Sequence, residues 1–385
     1  MQIDPAWAQT LLKASARLTT PAYLPGLLST HQQVLQWVGA MFTRFTAQEL
    51  PRVRAWVDAG QRYTITDALV RLAPQTGLTL DQRLALANEN PHYCATFNGL
   101  TAWCPTFAQH MQHQMLEPLF QALGGAPGAG ADYYAFFGNY GYTPFGVHDD
   151  TDESLLWHLG PADKTAYVWP RQKYQELTGG TLATTHYAAL LPHALRFDLR
   201  PGDLLFIPMG DFHILQTNAF SATLGVTLFP QDPLLECSEG LRLFAHDAAS
   251  LARHSEQVIS LSQLSQLRRL SVRSNGGVIT PPNLRLLASN APDDWQLAHS
   301  TLHAHPSWPL LRMPMGGREA LLVRRRAIWS RPNPLFAALC DLFRHHQAVP
   351  YRQLAQHLPQ GLQAEAIADT VRAIHRLGGL QIEPA

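Results

Sequence analysis

Two histidines and an aspartate are the residues of this chain whose types and spacing suit metal chemistry. The segment FGVHDDTDESLLWHLGPADKTAYVWP contains His148, Asp149 and Asp150 close to its start. Side chains alternate between the two faces of a strand, so His148 and Asp150 share one face and Asp149 points to the other. This spacing lets one imidazole and one carboxylate bind a common cation, and it selects Asp150 over Asp149.

The third ligand is predicted to be His213, which ends the phrase RPGDLLFIPMGDFH. In that phrase a turn at residues 200–203 is followed by an apolar strand and a Pro-Met-Gly loop. Two histidines and one carboxylate on one side of an iron ion form the facial triad of non-haem Fe(II) oxygenases. Three positions then remain open for a co-substrate and O2. The alternative is a polar strand end in which His148 makes only local hydrogen bonds.

Lysine is rare in this chain, and one lysine lies in an apolar, strand-like segment. Of the 29 Lys and Arg residues, only Lys13, Lys164 and Lys173 are lysine. Lys164 follows His148 on the next predicted strand, which favours a buried role. The alternative for Lys164 is a side chain that reaches from a strand to the surface.

These segments together resemble the JmjC-type, cupin-fold 2-oxoglutarate oxygenases. That family carries an HxD pair, a strand with a lysine of the form GxKx(W/Y)x(L/V)xP, and a PGD…IP motif followed by a histidine. The matching text here begins at His148, at Gly160 and at Pro201, and the resemblance covers about residues 133–230. It implies Fe(II) held by His148, Asp150 and His213, with Lys164 paired to the distal carboxylate of 2-oxoglutarate.

A buried dicarboxylate needs hydrogen-bond donors as well as a cation, because an unpaired buried carboxylate is costly to desolvate. Thr143, in GYTPFG before the HxD pair, is the leading candidate for such a hydroxyl. Tyr134 and Thr227 are further candidates. We therefore expect Lys164, Thr143, Tyr134 and Thr227 to bind the co-substrate.

The order of the segments is similar to that of the ribosomal-oxygenase branch of the family, whose members hydroxylate a side chain in a ribosomal protein. Two residues depart from that branch or its relatives. Lys164 stands where the bacterial arginine-hydroxylating members use arginine, and Thr227 stands where related enzymes often show asparagine. The identity of the substrate is therefore not transferred with the resemblance.

The elements that must position these residues divide the chain into regions. The predicted fold is α+β, with a double-stranded β-helix (jelly-roll, cupin) barrel of the JmjC kind. Residues 1–232 are predicted to be the catalytic domain, helical over 1–123 with the barrel core over 131–230. Residues 233–295 are predicted to be a helical dimerisation segment, and residues 296–385 a winged-helix-like domain with a hairpin at residues 315–317.

Composition excludes several classes of protein. Net charge is zero, and the tail from residue 333 has four arginines against four acids, so no nucleic acid is expected as a partner. No apolar run reaches 18 residues and the N-terminus has no signal-peptide pattern, so no membrane association is expected. Four cysteines without CxxC spacing favour reduced thiols in a cytoplasmic protein.

The sequence and the resemblance lead to one principal functional prediction. The chain is expected to be an Fe(II)- and 2-oxoglutarate-dependent dioxygenase that uses O2 to hydroxylate a side chain of a protein or peptide, acting as a homodimer. One alternative keeps this chemistry but applies it to a small molecule or a peptide natural product. Another is a non-catalytic cupin scaffold that binds a peptide. A DNA-binding regulator is disfavoured by the neutral tail.

Overall fold

The computed structural model describes residues 3–58, 60–245, 259–287 and 292–384 of the 385-residue chain. The chain divides into two compact units. Unit 1 comprises residues 1–125 and 132–230, and unit 2 comprises residues 126–131 and 231–385. Among the helices that the structure describes, none is long and apolar enough to cross a lipid bilayer.

Most α-helices of unit 1 bury apolar side chains on one face, as the helix Trp7–Ala14 does with Trp7 and Leu11. The fourth helix begins with a capping box, in which Thr79 and Gln82 satisfy each other's backbone N–H groups. A π-helical turn at Gln112–Leu116 joins the fifth and sixth helices. The helices are α1 Trp7–Ala14, α2 His31–Met41, α3 Ile65–Leu72, α4 Leu80–Asn88, α5 Pro105–Met111, α6 Glu117–Leu123 and α7 Arg171–Thr178.

The strands of unit 1 are short, and most are rich in aromatic and β-branched residues. They are β1 Ala22–Leu24, β2 Arg52–Val57, β3 Gly60–Gln61, β4 Cys94–Asn98, β5 Ala131–Gly138, β6 Gly141–Tyr142, β7 His148–Asp149, β8 Glu153–Pro161, β9 Lys164–Trp169, β10 Leu195–Leu199, β11 Leu204–Ile207, β12 Phe212–Thr217 and β13 Ser221–Leu228.

These strands form two sheets. The larger sheet has the order β1-β11-β8-β13-β5-β4-β2-β3, and the smaller has the order β10-β9-β12-β6, with β7 also paired to β12. In the smaller sheet, His213 pairs with His148 and Phe212 pairs with Asp149. This antiparallel register brings the two predicted histidine ligands to adjacent strands.

The two sheets share a hydrophobic core. Residues from the larger sheet, such as Phe136 and Leu156, belong to the same buried cluster as Ala166, Val168 and Leu215 from the smaller one. The inward side chains follow the period of two that strands impose. The structure therefore has a mixed α/β architecture of helices and antiparallel sheets, and the site lies on the inner sheet faces.

The predicted helical region, residues 1–123, contains strands as well as helices. Strands β1 to β4 all join the larger sheet, so this region contributes to the same sheet as the motif-bearing segments. The segments RVRAWV and CATFN are short, and their alternating character is interrupted by apolar residues on both faces. Amphipathic helices surround these strands, so the helical period predominates in the sequence of this region.

Two hydrophobic clusters lie among the described residues of unit 2. One includes Phe244, Leu264 and Met313. The other includes Leu339 and Ile374 of the C-terminal helices. The elements are α8 Pro233–Ala245, α9 Leu261–Arg273, α10 Leu284–Leu287, α11 Asp294–Ala298, β14 Ser300–Ala304, β15 Leu311–Met315, β16 Arg318–Val323, β17 Arg326–Ser330, α12 Pro334–His345, β18 Ala348–Pro350, α13 Tyr351–Leu354, α14 Ala364–Arg376 and β19 Leu380–Pro384.

The hairpin predicted around residues 315–317 is confirmed. Met315 pairs with Arg318 across Gly316 and Gly317, whose φ angles of 59° and 69° suit a two-residue turn of type I′. The predicted order of helix, short helix, helix and terminal strand is also found in α12, α13, α14 and β19. The part of the predicted helical segment at residues 246–258 lies outside the described residues.

Gly225 provides a test of how tightly the inner sheet face is packed. A Cβ atom at this position would lie 2.0 Å from the Tyr134 ring, because the ring crosses directly over β13. We expect Gly225→Ala to lower the free energy of unfolding by about 1–3 kcal/mol through overpacking. Gly39→Ala is the matched control, since a Cβ there meets nothing within 4 Å and the residue lies in a helix.

Chemical denaturation of both variants measures this effect. Gly39→Ala should be neutral or stabilising by up to about 1 kcal/mol, since alanine favours helix. Equal changes in the two variants would contradict the packing that places the Tyr134 ring over Gly225.

Candidate metal centre and its cavity

The structure brings His148, Asp150 and His213 together. One ligand atom from each lies within 4.8 Å of the other two, as in a chelating site. The two imidazole ring centroids are 4.4 Å apart, and His213 Nε2 lies 3.7 Å from Asp150 Oδ2. The alternation of side chains along the HxD segment therefore places Asp150, rather than Asp149, beside the two histidines.

Backbone carbonyls fix which nitrogen of each imidazole faces the cluster. His148 Nδ1 lies 3.1 Å from the Gly146 carbonyl oxygen, and His213 Nδ1 lies 3.3 Å from the Asp211 carbonyl oxygen. A carbonyl only accepts, so each Nδ1 carries the proton and donates it. The lone pair of each Nε2 then remains for a metal, which is the usual arrangement of a histidine ligand.

The charge state of His148 also suits a ligand. Burial lowers the pKa of His148, and the neighbouring His213 contributes because two imidazolium ions would repel, so that the pKa is about 4. His148 is therefore neutral at pH 7, and neutral imidazole is the form that binds metals.

A cavity of about 170 Å³ adjoins the three side chains. Its wall includes the predicted hydroxyl residues Thr143, Tyr134 and Thr227 together with the HxD pair and His213. Burial raises the pKa of Tyr134, with Asp150 adding to the effect, so its hydroxyl stays protonated. All three residues thus line the same cavity as the clustered side chains.

Lys164, the first residue of β9, is buried, with 2% of its surface exposed. Its Nζ donates to Thr223 Oγ1 at 2.8 Å and lies 5.0 Å from the Phe136 ring centroid. Among the described residues, no carboxylate lies within ion-pair distance of Nζ. Burial therefore lowers the pKa of Lys164 to about 7. The alternative of a surface lysine is ruled out.

Thr223, which the sequence analysis did not single out, is the hydroxyl that contacts Lys164. Thr143, the leading sequence candidate, instead accepts a hydrogen bond from the Leu215 N–H at 3.4 Å. Lys164 and Thr223 lie on strands of different sheets, so no spacing in the sequence indicates that they meet. Thr223 does share the inward face of β13 with Thr227, at a separation of four residues.

Tyr140 is a second residue that sequence reasoning missed. Its ring centroid lies 5.8 Å from Lys164 Nζ. Its hydroxyl is buried and has no hydrogen-bond partner among the described residues. A buried hydroxyl without a partner is costly, which suggests that a polar ligand completes it.

The other acids of the two motifs have separate roles. Asp149 points away from the cluster, as predicted, and accepts a hydrogen bond from Arg171. Asp211 accepts from the Arg171 N–H. Asp152 lines the cavity, and burial together with the charges of Asp150 and Glu153 raises its pKa to about 7.

Comparisons with known proteins show a similar fold. No family model matches the chain, and no curated protein matches it. A structure of YcfD, a ribosomal oxygenase from Escherichia coli, has a TM-score of 0.50 at 14% identity and matches over 99% of both chains. A structure of YcfD in complex with cobalt and 2-oxoglutarate has a TM-score of 0.50 at 15% identity, again over 99% of both chains.

Removing one of the three clustered side chains tests whether they form a metal site. We expect His148→Ala and Asp150→Ala each to weaken Mn(II) binding by more than about 100-fold, beyond the 10–100-fold typical of residues that only support ligands. Electron paramagnetic resonance of free Mn(II) during a titration measures the affinity. His303→Ala, on a partly exposed histidine far along the chain, is the control and should bind like the wild type. Unchanged affinity in both site variants would rule out this metal centre.

Proposed function

We propose that the chain is an Fe(II)- and 2-oxoglutarate-dependent dioxygenase that hydroxylates a side chain of a protein or peptide. The observation that carries the proposal is the pairing of two features in one place. Two imidazoles and a carboxylate converge on one point, and a buried ammonium that has no carboxylate partner among the described residues lies behind the same cavity wall.

The ligand set fits ferrous iron. Two histidine nitrogens and one carboxylate oxygen on one face leave the remaining positions for 2-oxoglutarate and O2. His148, Asp150 and His213 would hold the ion, with their Nδ1 protons donated to backbone carbonyls. Ser154 Oγ lies 3.4 Å from Asp150 Oδ2 and would help to orient that carboxylate. When bound, iron and 2-oxoglutarate supply the activation of O2, with succinate and CO2 as co-products.

The buried cation fits the distal carboxylate of 2-oxoglutarate. Lys164 would pair with that carboxylate, Thr223 already accepts from its Nζ, and the Tyr140 hydroxyl would donate the hydrogen bond that it lacks. An anion at this point would offset the desolvation of the ammonium, and the ammonium would offset that of the anion. Thr143, Tyr134 and Thr227 would line the rest of the cavity.

The finer description of the fold is part of this proposal. We infer that the two sheets of unit 1 form a double-stranded β-helix, with residues 131–230 as its core. The shared hydrophobic core and the fold similarity to YcfD support this inference. The division of unit 2 into a helical dimerisation segment (233–295) and a winged-helix-like domain (296–385), a homodimer and a cytoplasmic location also remain proposals.

A protein substrate is favoured over a small molecule by the similarity to a ribosomal oxygenase along nearly the whole chain. A ribosomal protein is therefore the first substrate to test. Purified protein with Fe(II) and 2-oxoglutarate should add one oxygen atom to a residue of a ribosomal protein and release succinate, as measured by mass spectrometry. His148→Ala should lose both products. Succinate release by His148→Ala at the wild-type rate would refute the proposal.

The proton uptake that accompanies 2-oxoglutarate binding provides a second test, because it depends on Lys164. Its pKa of about 7 means that most Lys164 side chains are neutral at pH 8, and a bound carboxylate would raise the pKa again. Binding of 2-oxoglutarate to the Mn(II)-loaded protein without O2 should therefore be accompanied by proton uptake at pH 8. Affinity should fall as the pH rises above 7, because the neutral form must first gain a proton.

Calorimetry in buffers of different ionisation enthalpy measures the uptake. Lys164→Arg is the matched control, because arginine stays charged throughout this range and takes up no proton. Equal proton uptake by the wild type and Lys164→Arg would show that 2-oxoglutarate does not pair with Lys164.

A further inference from the structure

The two segments that carry the clustered side chains are short and need support. Strand β7 has only two residues, His148 and Asp149, and Asp150 lies just beyond its end. His213 follows a loop at residues 208–211. The pairing of β7 with β12 joins the two segments over only two residue pairs, so a contact from outside the sheet would add to the restraint on their spacing.

Arg171, the first residue of α7, contacts both segments. Its Nη2 donates to Asp149 Oδ2 at 2.9 Å. Asp149 lies between His148 and Asp150 in the chain. The backbone N–H of Arg171 donates to Asp211 Oδ1 at 3.0 Å, two residues before His213. One residue thus bridges the two segments with one side-chain and one backbone hydrogen bond.

The same guanidinium lies directly against Gly210. A Cβ atom on Gly210 would lie 2.2 Å from Arg171 Nη2, and its φ of +83° already favours glycine. The Gly210 N–H donates to the Asp150 carbonyl oxygen at 3.0 Å. The guanidinium therefore packs on the residue that holds the backbone of Asp150.

Helix α7 itself is fixed to the strand that bears His213. Tyr174 is fully buried and stacks on Phe212, with ring centroids 3.7 Å apart and planes at 10°. Phe212 immediately precedes His213. Arg171 thus extends from an anchored helix rather than from a free surface segment.

We propose that Arg171 is a positioning residue that reinforces the pairing of β7 with β12 and so holds the HxD segment and the His213 segment at the spacing that metal binding needs. This inference rests on the metal site of the proposed function. The Arg171–Asp149 pair is 54% and 28% exposed, so its expected contribution to global stability is small. A positioning role therefore predicts a loss of metal affinity without a loss of fold stability.

Mn(II) titration followed by electron paramagnetic resonance tests the proposal on the full chain. Arg171→Gln should weaken Mn(II) binding about tenfold, the lower end of the range for residues that orient ligands. Lys173→Gln, on the same helix with a loose 3.9 Å pair to Glu176, is the matched control and should bind as the wild type does. Thermal unfolding of the metal-free variants should give the wild-type melting temperature.

A double-mutant cycle with Asp149→Asn identifies the route of the effect. If Arg171 acts through Asp149, the two losses of affinity should not add, and Arg171→Lys should recover part of the affinity. Wild-type affinity in Arg171→Gln, additive losses, or a matching fall in melting temperature would each overturn the proposal. Absence of Mn(II) binding by the wild type would instead refute the metal site itself, so the two failures are distinguishable.

Discussion

The antiparallel register that pairs His213 with His148 is the constraint on which the site depends. Side chains alternate along a strand, so a slip of one residue would turn an imidazole to the opposite face. Strand β9 fixes the register from the other side of β12. The two strands pair over residues 212–216 of β12, with Phe212 opposite Trp169 at one end and Gln216 opposite Thr165 at the other. The strand that delivers His213 is therefore held between two partners.

Electrostatics explains why this arrangement is more than a polar end of a sheet. The fold keeps His148 neutral and buries the Lys164 ammonium away from any carboxylate among the described residues. Burial of the imidazole and of the ammonium each costs free energy compared with the same group in water. A cation shared by the imidazoles and an anion shared by Lys164, Thr223 and Tyr140 would compensate both.

The sequence predicted the parts of the site that depend on local periodicity. Alternation selected Asp150 over Asp149, and glycines at 316 and 317 predicted a hairpin that is present. It missed what depends on contacts between distant segments. Thr223 meets Lys164 across two sheets, and the turn at Arg324 and Arg325 uses positive φ angles that no glycine signals. There Arg324 stacks on Trp308 and donates to Asn275, which holds the turn.

An anomalous-difference map from crystals grown with Mn(II) would show whether the three side chains bind one metal ion. We expect one strong peak within bonding distance of His148 Nε2, an Asp150 carboxylate oxygen and His213 Nε2. A fully occupied Mn(II) elsewhere, with none among these three side chains, would contradict this expectation.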